Sequence, residues 1–547
     1  MRILLRRLPA LSLLRLLPAL LAALLLLPGC GRRESAVERG IREQILERGA
    51  HADVTDLDPQ TAVNIAEMDV VSALFEGLVV EDPVDLHPVP GVAERWDVSA
   101  DGLTYTFFLR RDAKWSDGTA VTAADFVASW QRMLTPSLAA ENAGLLYVLQ
   151  GAEAFHRGAN PDFSQVGVTA LDPYTLRVRL DHPTPYFLSL LTHSAWLPVP
   201  VATIQRFGGL ADRGNRWTRP GSLVGNGAFV LKTWRPNQEI FVEQSPTYWD
   251  ATRVKLKGVR FHPIDSVDAE ERAFRAGQLH VTYVLPFGKA DAYRRESPQL
   301  LRSDAYLNTY FLRLNTARAP FDDVRVRQAL GLAVDRDVLV EKVLRAGQRP
   351  AHSLTPPGLA TYTPPQAVRS DAAEARRLLQ EVTRNGVQPL PTLQLLYNTN
   401  ENLRVVAEAL QEMWRRELGL NVEIANQEYK VVLSERRAGR YQILLSDWVG
   451  DYLDATTFLD PWRGDSANNH TNWRSADYDA LLFAAARNSD PVARARQLQE
   501  AETLLLQAAP VVPLYYNAHT FLLHPSVKGW HPTLLDHHPF KHVWLEP

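Results

Sequence analysis

The chain has 547 residues, of which 46% are hydrophobic and 22% charged, and its formal net charge at pH 7 is −3. This length exceeds what one compact core holds, so two or three domains are expected. The composition is typical of a globular protein and excludes extensive disorder. Because the chain has no excess of basic residues, it is not expected to bind nucleic acid.

The N-terminus has the layout of an export signal. Arg2, Arg6 and Arg7 precede an apolar run over residues 16–27, which is short for a membrane span. Residues 1–29 are therefore predicted to be a signal peptide, with a transmembrane anchor as the alternative.

The only cysteine, Cys30, follows the apolar run in LLPGC. This stretch resembles the signal of bacterial lipoproteins, which implies that Cys30 is lipidated and anchors the protein to a membrane outside the cytoplasm. A mature chain without another cysteine suits an exported protein that makes no disulfides. Residues 30–50 are predicted to be a lipidated tether, and the folded body is predicted to begin near His51.

Residues 77–200 have the pattern of a mixed α+β module. WDVSADGLTYTFFLR predicts a hairpin that turns at Asp101-Gly102. Thr122 and Asp125 form a capping box that begins an amphipathic helix. TALDPYTLRVRLDHP predicts a second pair of strands.

From residue 391 to residue 446, predicted strands alternate with predicted helices. TLQLLYN, LNVEIAN and YQILLS are the strands, and ENLRVVAEALQEMWRREL and EYKVVLSERRAG are the helices between them. This alternation predicts a parallel sheet, in which ligands bind beyond the carboxyl ends of the strands. The acidic stretch DWVGDYLDATTFLD, residues 447–460, follows the last of these strands.

Three interpretations of the acidic stretch are compared. A calcium loop needs oxygen ligands at its third position and glycine at its sixth, where this stretch has Val449 and Tyr452. A pair of catalytic carboxylates stays open, because their separation is not fixed by sequence spacing. The third interpretation is a buried acid that binds a cationic ligand group.

No metal site is predicted elsewhere. Four histidines near the C-terminus are interpreted as surface residues, since Pro539 interrupts their helical spacing. These histidines are His531, His537, His538 and His542.

Five segments in order along the chain resemble the extracytoplasmic oligopeptide-binding proteins of ABC peptide importers. They are DPQTAVNIAEMDVVSALFEGLV, SADGLTYTFFLRRDAKWSDGTAVTAADFVASWQRML, GNGAFVL, LNTARAPFDDVRVRQALGLAVDRD and DWVGDYLDATTFLD. The resemblance implies an α/β, two-lobed periplasmic-binding-protein-like fold with an extra α+β domain and a hinge between the lobes. Lobe I is expected to combine residues 51–76, 201–305 and 515–547, the additional domain to be residues 77–200, and lobe II to be residues 306–514.

The resemblance also implies a peptide site. Asp451 matches the aspartate that forms a salt bridge with the free α-amino group of the bound peptide. Two segments match those whose main chain pairs with the peptide as an added strand: Asp447, Trp448 and Val449, and Val63, Asn64 and Ile65. Trp448 and Tyr429 match aromatic residues that line side-chain pockets, and a role in the core is the alternative for both. Asp454 and Asp460 are expected to be turn or helix-cap acids.

Two positions depart from the family pattern. The arginine and the histidine that bind the peptide carboxylate in well-known members are replaced by Leu445 and Leu403. Longer peptides, peptides with a modified C-terminus and a different solute are all compatible with this change.

The function expected from the resemblance is the capture of short peptides with a free N-terminus. The protein is expected to act as a monomer without a cofactor, to catalyse nothing, and to deliver peptides to the permease and ATPase subunits of an ABC importer. The alternatives within the fold are a receptor for a murein peptide, a dipeptide or a non-peptide solute. The alternatives from other classes are an envelope hydrolase and a peptide chaperone.

Overall fold

The computed structural model of the protein describes residues 34–50, 52–384 and 390–547. No helix in these ranges is long and apolar enough to cross a membrane. The strands, in chain order, are β1 (Ile45–Ala50), β2 (Val79–Glu81), β3 (Pro88–Pro90), β4 (Ala93–Val98), β5 (Thr104–Leu109), β6 (Val168–Asp172), β7 (Thr175–Arg179), β8 (Phe229–Arg235), β9 (Glu239–Gln244), β10 (Gly258–Pro263), β11 (Leu301–Leu314), β12 (Arg349–Pro350), β13 (Leu393–Asn398), β14 (Val422–Gln427), β15 (Ile443–Val449), β16 (Val511–Leu522), β17 (Val527–Lys528) and β18 (Trp544–Leu545).

Helices connect most of these strands, and short 3-10 turns and a π-helical segment, Leu339–Leu344, complete the chain. The α-helices are α1 (Ala36–Glu43), α2 (Ile65–Leu74), α3 (Ala123–Leu134), α4 (Ala152–His156), α5 (Phe187–Leu190), α6 (Val201–Phe207), α7 (Val267–Arg275), α8 (Ala290–Glu296), α9 (Val324–Leu332), α10 (Arg336–Val338), α11 (Ala372–Arg384), α12 (Glu401–Leu418), α13 (Tyr429–Arg437), α14 (Thr456–Leu459), α15 (Ala476–Arg487) and α16 (Pro491–Ala508).

The first lobe is built on a four-stranded sheet with the order β1-β10-β9-β8. β1 pairs in parallel with β10 along its whole length, and every residue of β1 after Ile45 is buried. The prediction that residues 30–50 form a tether is therefore wrong for residues 36–50, which belong to the folded body. Cys30 and the predicted signal peptide lie outside the described residues.

β1 was missed because its sequence, ILERGA, has two adjacent charges and no alternation of apolar residues. The structure buries both charges against partners that are distant in the chain. Arg48 pairs with Asp69 at 2.5 Å, and Glu47 lies 2.7 Å from His262 Nε2.

The region 77–200 has its own antiparallel sheet with the order β4-β5-β7-β6. The two predicted strand pairs and the helix α3 are confirmed, and Thr122 is the N-cap of that helix. The apolar core of this region is continuous with that of the first lobe, so the two share one large cluster of buried residues.

The second lobe contains a six-stranded sheet with the order β12-β16-β11-β15-β13-β14. β13 pairs in parallel with both β14 and β15, which confirms the parallel sheet predicted from the alternation of strands and helices. β11 and β16 are antiparallel to each other and extend the sheet on the other side.

The two longest strands, β11 and β16, run across the predicted boundaries at residues 306 and 514. Their pairing shifts register between Ala305 and Thr309. Such an irregularity bends the strand pair where it occurs.

Candidate functional site

Asp451 lies in the loop after β15 and is half-buried. Thr457 Oγ1 donates to its carboxylate at 3.4 Å and accepts from its backbone N–H at 2.9 Å. No basic side chain in the described ranges comes within 4.0 Å of this carboxylate. Burial raises the pKa of Asp451 to about 6, and the Thr457 hydroxyl and the field of His537 only partly offset it. A carboxylate in a largely dry site without a counter-ion suits a cationic ligand group.

The strand that leads to Asp451 has one unpaired edge. β15 pairs with β11 over its whole length, from Ile443 to Val449. On its other side it pairs with β13 only at Ile443 and Leu444. In the described part of the chain, residues 445–449 therefore have no strand partner on that side. An edge of this kind can accept an extended peptide as an added strand.

Asp447 and Trp448 on this strand are held by one side chain from β11. The Asn308 amide donates to Asp447 Oδ2 at 3.0 Å and to the Trp448 carbonyl at 3.1 Å. Burial raises the pKa of Asp447, while Asn308 and the nearby Arg436 oppose this effect. The Trp448 indole N–H is buried and has no hydrogen-bond partner among the described residues.

The predicted second main-chain segment lies at the start of α2. Asn64 is the N-cap of that helix, and Ile65 is its first residue. The amides of Val63 and Asn64 already donate to the Glu67 carboxylate, at 3.2 and 3.5 Å. These amides are therefore not free to pair with a peptide, although the Val63 and Ile65 side chains are exposed.

Tyr429 begins helix α13 and is 58% exposed, so it is a surface aromatic and not a core residue. Arg436 in the last turn of the same helix is half-buried. Its Nε is buried and has no hydrogen-bond partner among the described residues. Burial lowers the pKa of Arg436, and the fields of Tyr429 and Asp447 oppose this.

A polar cavity of about 310 Å³ lies beside Arg436. Burial, together with the fields of three neighbouring arginines, lowers the pKa of the His470 imidazole to about 4. This end of the site is therefore electropositive without a protonated histidine. The charged and polar side chains that line the cavity belong to Asn315, Arg318, Arg436, Arg437, Asn469, His470 and Asn472.

Leu403 and Leu445 lie in the apolar core of the second lobe, with exposures of 7% and 3%. They pack among the residues under the sheet, such as Leu395 and Val406. The structure therefore does not bring these two predicted site residues to a ligand surface.

Three tyrosines that the sequence did not single out lie close to Asp447. Tyr306 and Tyr310 come from β11, and Tyr283 comes from the first lobe. Burial raises the pKa of each phenol, and the field of Asp447 adds to the effect. Only the alternation of β11 could have indicated Tyr306 and Tyr310, and no sequence signal marks Tyr283.

Asp454 has a larger role than the helix cap that was predicted. It accepts from the Thr456 amide at 3.0 Å, as a cap does, and it also pairs with the buried Arg494. Asp460 begins a 3-10 turn, and burial raises its pKa to about 6.

The C-terminal histidines are not all surface residues. The His538 side chain is 3% exposed and shares Asp536 with His519, at 2.9 and 2.7 Å. His537 is exposed and lies 2.9 Å from Glu81. The prediction of a surface position is therefore wrong for His538. The indole ring of Trp530 stacks on the His538 ring, with the ring centroids 4.1 Å apart, and covers it.

Among the described residues, one group has the spacing of metal ligands. It consists of Asp82, Asp85 and His87 in the connection between β2 and β3. Asp82 already accepts from the Val84 amide at 2.8 Å, and Asp85 lies 2.6 Å from His87 Nδ1. Turn geometry accounts for these contacts.

The chain matches the model of the bacterial extracellular solute-binding proteins, family 5, over residues 87–470. It is 37% identical over 497 residues to the periplasmic oligopeptide-binding protein OppA of Escherichia coli, with 89% of this chain and 90% of the relative covered. The chain belongs to family 5 of the bacterial extracellular solute-binding proteins. It is also 36% identical to a probable deoxycholate-binding periplasmic protein of Escherichia coli, with 89% of this chain and 91% of the relative covered.

Solved structures of this family share the two-lobed α/β fold. The Escherichia coli murein tripeptide binding protein MppA superposes with a TM-score of 0.84 at 34% identity, covering 92% of this chain and 98% of that one. The Haemophilus influenzae OppA complex with the peptide RPPGFSPFR gives 0.82 at 33% identity, covering 92% and 99%. An unliganded open form of MppA gives only 0.71, at 35% identity and coverage of 92% and 97%. This chain thus superposes better on the peptide complex than on the open form.

Proposed function

We propose that this protein binds short peptides in an extended conformation and delivers them to an ABC importer. The observation that carries this proposal is the pairing of β15. Among the strands that the structure describes, residues 445–449 have no strand partner on one side. Asp451 follows two residues later, and no basic side chain in the described ranges lies within 4.0 Å of its carboxylate. A peptide that adds to this edge presents its backbone to the strand and its amino end to the carboxylate.

Asp451 is the residue that binds the peptide amine. An ammonium group supplies both the charge and the N–H donors that this carboxylate lacks. Neither Thr457, its hydroxyl partner, nor the field of His537 supplies a direct ion pair. Recognition of the amine in this way depends on no side chain of the peptide.

The other end of a short peptide faces Arg436. Leucine stands at positions 403 and 445, so the cationic residues that are expected of the family to bind the peptide carboxylate are absent there. Arg436 and the polar cavity beside it supply positive charge near Asp447 instead. Asp447 and Asp451 are four residues apart, a span of at most roughly 14 Å. This separation suits a peptide of about three to five residues in an extended conformation.

Outside the site, several features belong to the same proposal. Cys30 is lipidated and holds the protein at a membrane, outside the cytoplasm. The protein acts as a monomer and has no catalytic activity. Movement at the paired strands β11 and β16 opens and closes the lobes, and the importer recognises the closed form.

A binding panel tests this function. Residues 31–547 are unfolded and refolded to remove any co-purified ligand, and are then examined by native mass spectrometry and calorimetry. The ligands are tri-, tetra- and penta-alanine, a murein tripeptide and deoxycholate. We expect one molecule of an alanine peptide to bind at micromolar or lower concentration. Binding of deoxycholate or the murein tripeptide with no binding of alanine peptides would contradict the proposal.

A further inference from the structure

The loop that carries Asp451 is also part of the first lobe's core. Tyr452, the next residue, is 5% exposed and lies in the buried apolar cluster of the first lobe and its additional domain. Within the described ranges, it is the only residue between 306 and 514 in that cluster. The loop therefore belongs to the second lobe by sequence and packs with the first.

The contact that joins this loop to the additional domain is a pair of tyrosines. The rings of Tyr452 and Tyr186 stack with their centroids 5.2 Å apart and their planes within 6° of parallel. The Arg494 guanidinium also lies 5.2 Å from the centroid of the Tyr186 ring. Tyr186 thus touches the loop and the helix α16 that supports it.

Arg494 ties these contacts back to the loop. Its guanidinium binds Asp454 with two hydrogen bonds of 2.8 Å, and Asp454 is three residues after Asp451. The Tyr452 hydroxyl lies 3.1 Å from Thr456 Oγ1, inside the same loop. Tyr186 of the additional domain therefore contacts Tyr452 and Arg494, which are both bonded to the loop that carries Asp451.

Two further contacts join the same two parts of the molecule. Arg487 of the second lobe lies 3.5 Å from Asp181, and Arg437 lies 3.4 Å from Glu141. Both pairs place the acid on the additional domain and the arginine on the second lobe. Both are exposed and screened by salt, so they add little beside the buried tyrosine stack.

We propose that Tyr186 is a positioning residue of the amine site, which holds Tyr452 and with it the Asp451 loop in the ligand-binding conformation. This inference rests on the proposed function of Asp451. When the lobes separate, Tyr452 must leave the cluster, and its ring and the Tyr186 ring lose their contact. Binding of an amine at Asp451 and stacking at Tyr452 therefore favour the same closed arrangement.

Spin-label distance measurements test this role. Residues 31–547 lack the only cysteine, so labels at V98C in the additional domain and V492C in α16 report on one distance without further changes. Both positions are exposed and lie outside the site. The distance distribution is measured with and without an equimolar mixture of tri-, tetra- and penta-alanine, in the wild-type background and in Tyr186→Ala and Tyr186→Phe.

We expect the peptides to shift wild type and Tyr186→Phe to a short distance, since phenylalanine keeps the stack. In Tyr186→Ala, a substantial long-distance population remains, and peptide dissociation is about tenfold faster. Tyr174→Ala is the matched control, because Tyr174 is a half-buried tyrosine of the same domain that packs under Arg111. A similar melting temperature for both alanine variants shows that Tyr186→Ala is folded.

The outcomes separate the two proposals. If the peptides close Tyr186→Ala as completely as Tyr186→Phe, the role of Tyr186 is wrong and peptide binding stands. If native mass spectrometry detects no alanine peptide bound to wild type, the proposed function is wrong. The distance distributions measured without peptide then test the role of Tyr186. If Tyr186→Ala and wild type have the same closed fraction, the proposed role of Tyr186 is wrong.

Discussion

Asp454 and Arg494 form a buried ion pair with two parallel hydrogen bonds of 2.8 Å. Their side chains are 5% and 7% exposed, so water screens neither of them. The pair joins the loop that carries Asp451 to α16. A second acceptor role of Asp454, toward Thr456, fixes the start of α14.

Asp454→Asn is expected to lower the free energy of unfolding by about 3–5 kcal/mol, because it leaves the Arg494 charge buried without a partner. Urea unfolding at pH 7 measures this. Glu412→Gln is the control, since it removes an exposed ion pair with Arg415 and should cost less than about 1 kcal/mol. Equal effects of the two substitutions would show that the pair at Asp454 is unimportant.

Asp451→Asn is expected to stabilise the ligand-free protein at neutral pH. The pKa of Asp451, about 6, exceeds the ordinary value of 3.8, so the folded state binds the proton more tightly than the unfolded state. Wild-type stability therefore falls as pH rises from about 4 to about 6, and the variant lacks this loss. The gain should reach about 1–3 kcal/mol above pH 6 and vanish near pH 4. Urea titrations across this pH range measure it, and a destabilised variant at pH 7 would be the contrary result.

Arg436→Met is expected to weaken the binding of peptides with a free carboxylate about tenfold or more, because it removes the half-buried cation of the polar cavity. Peptides with an amidated C-terminus should bind the variant and the wild type alike. Arg440→Met is the control, since Arg440 is exposed and paired with Glu435. Calorimetry compares the three proteins, and an equal loss for free and amidated peptides would contradict this role.

A chain that begins at residue 52 is not expected to fold stably, although residues 30–50 are predicted from the sequence to be a tether. The deletion strips β1 from the edge of β10 and leaves Asp69 without Arg48. Loss of that arginine alone should cost about 3–5 kcal/mol. A chain that begins at Ser35 is the control and should melt like residues 31–547. If the chain that begins at residue 52 melts at the same temperature, β1 is dispensable.

Much of the fold follows from local patterns in the sequence. The alternation in β5, the capping residues of α3 and the strand–helix alternation of residues 391–446 all predict the elements that the structure contains. These signals are local, because side-chain period and capping depend on residues a few positions apart. β1 has no such signal, since its buried charges find partners 21 and 215 positions away.

The site was only partly predictable. The resemblance predicts a peptide site at Asp451 and the strand before it, and the structure gives that strand a free edge. The resemblance could not indicate that the amides of Val63 and Asn64 donate to Glu67, or that Leu403 and Leu445 are in the core. The surroundings of Arg436 depend on how distant segments of the second lobe pack, and the Tyr186–Tyr452 stack depends on how two lobes meet. No local pattern encodes either contact.

Calorimetric titration of free and N-acetylated tetra-alanine tests the central claim most directly, on wild type and on Asp451→Asn. If Asp451 binds the peptide amine, acetylation weakens binding to wild type tenfold or more, which is about 1.4 kcal/mol. The same acetylation should then make little further difference to Asp451→Asn, because the partner is already gone. Equal binding of both peptides to wild type, or an undiminished preference for the free amine in Asp451→Asn, would contradict the claim.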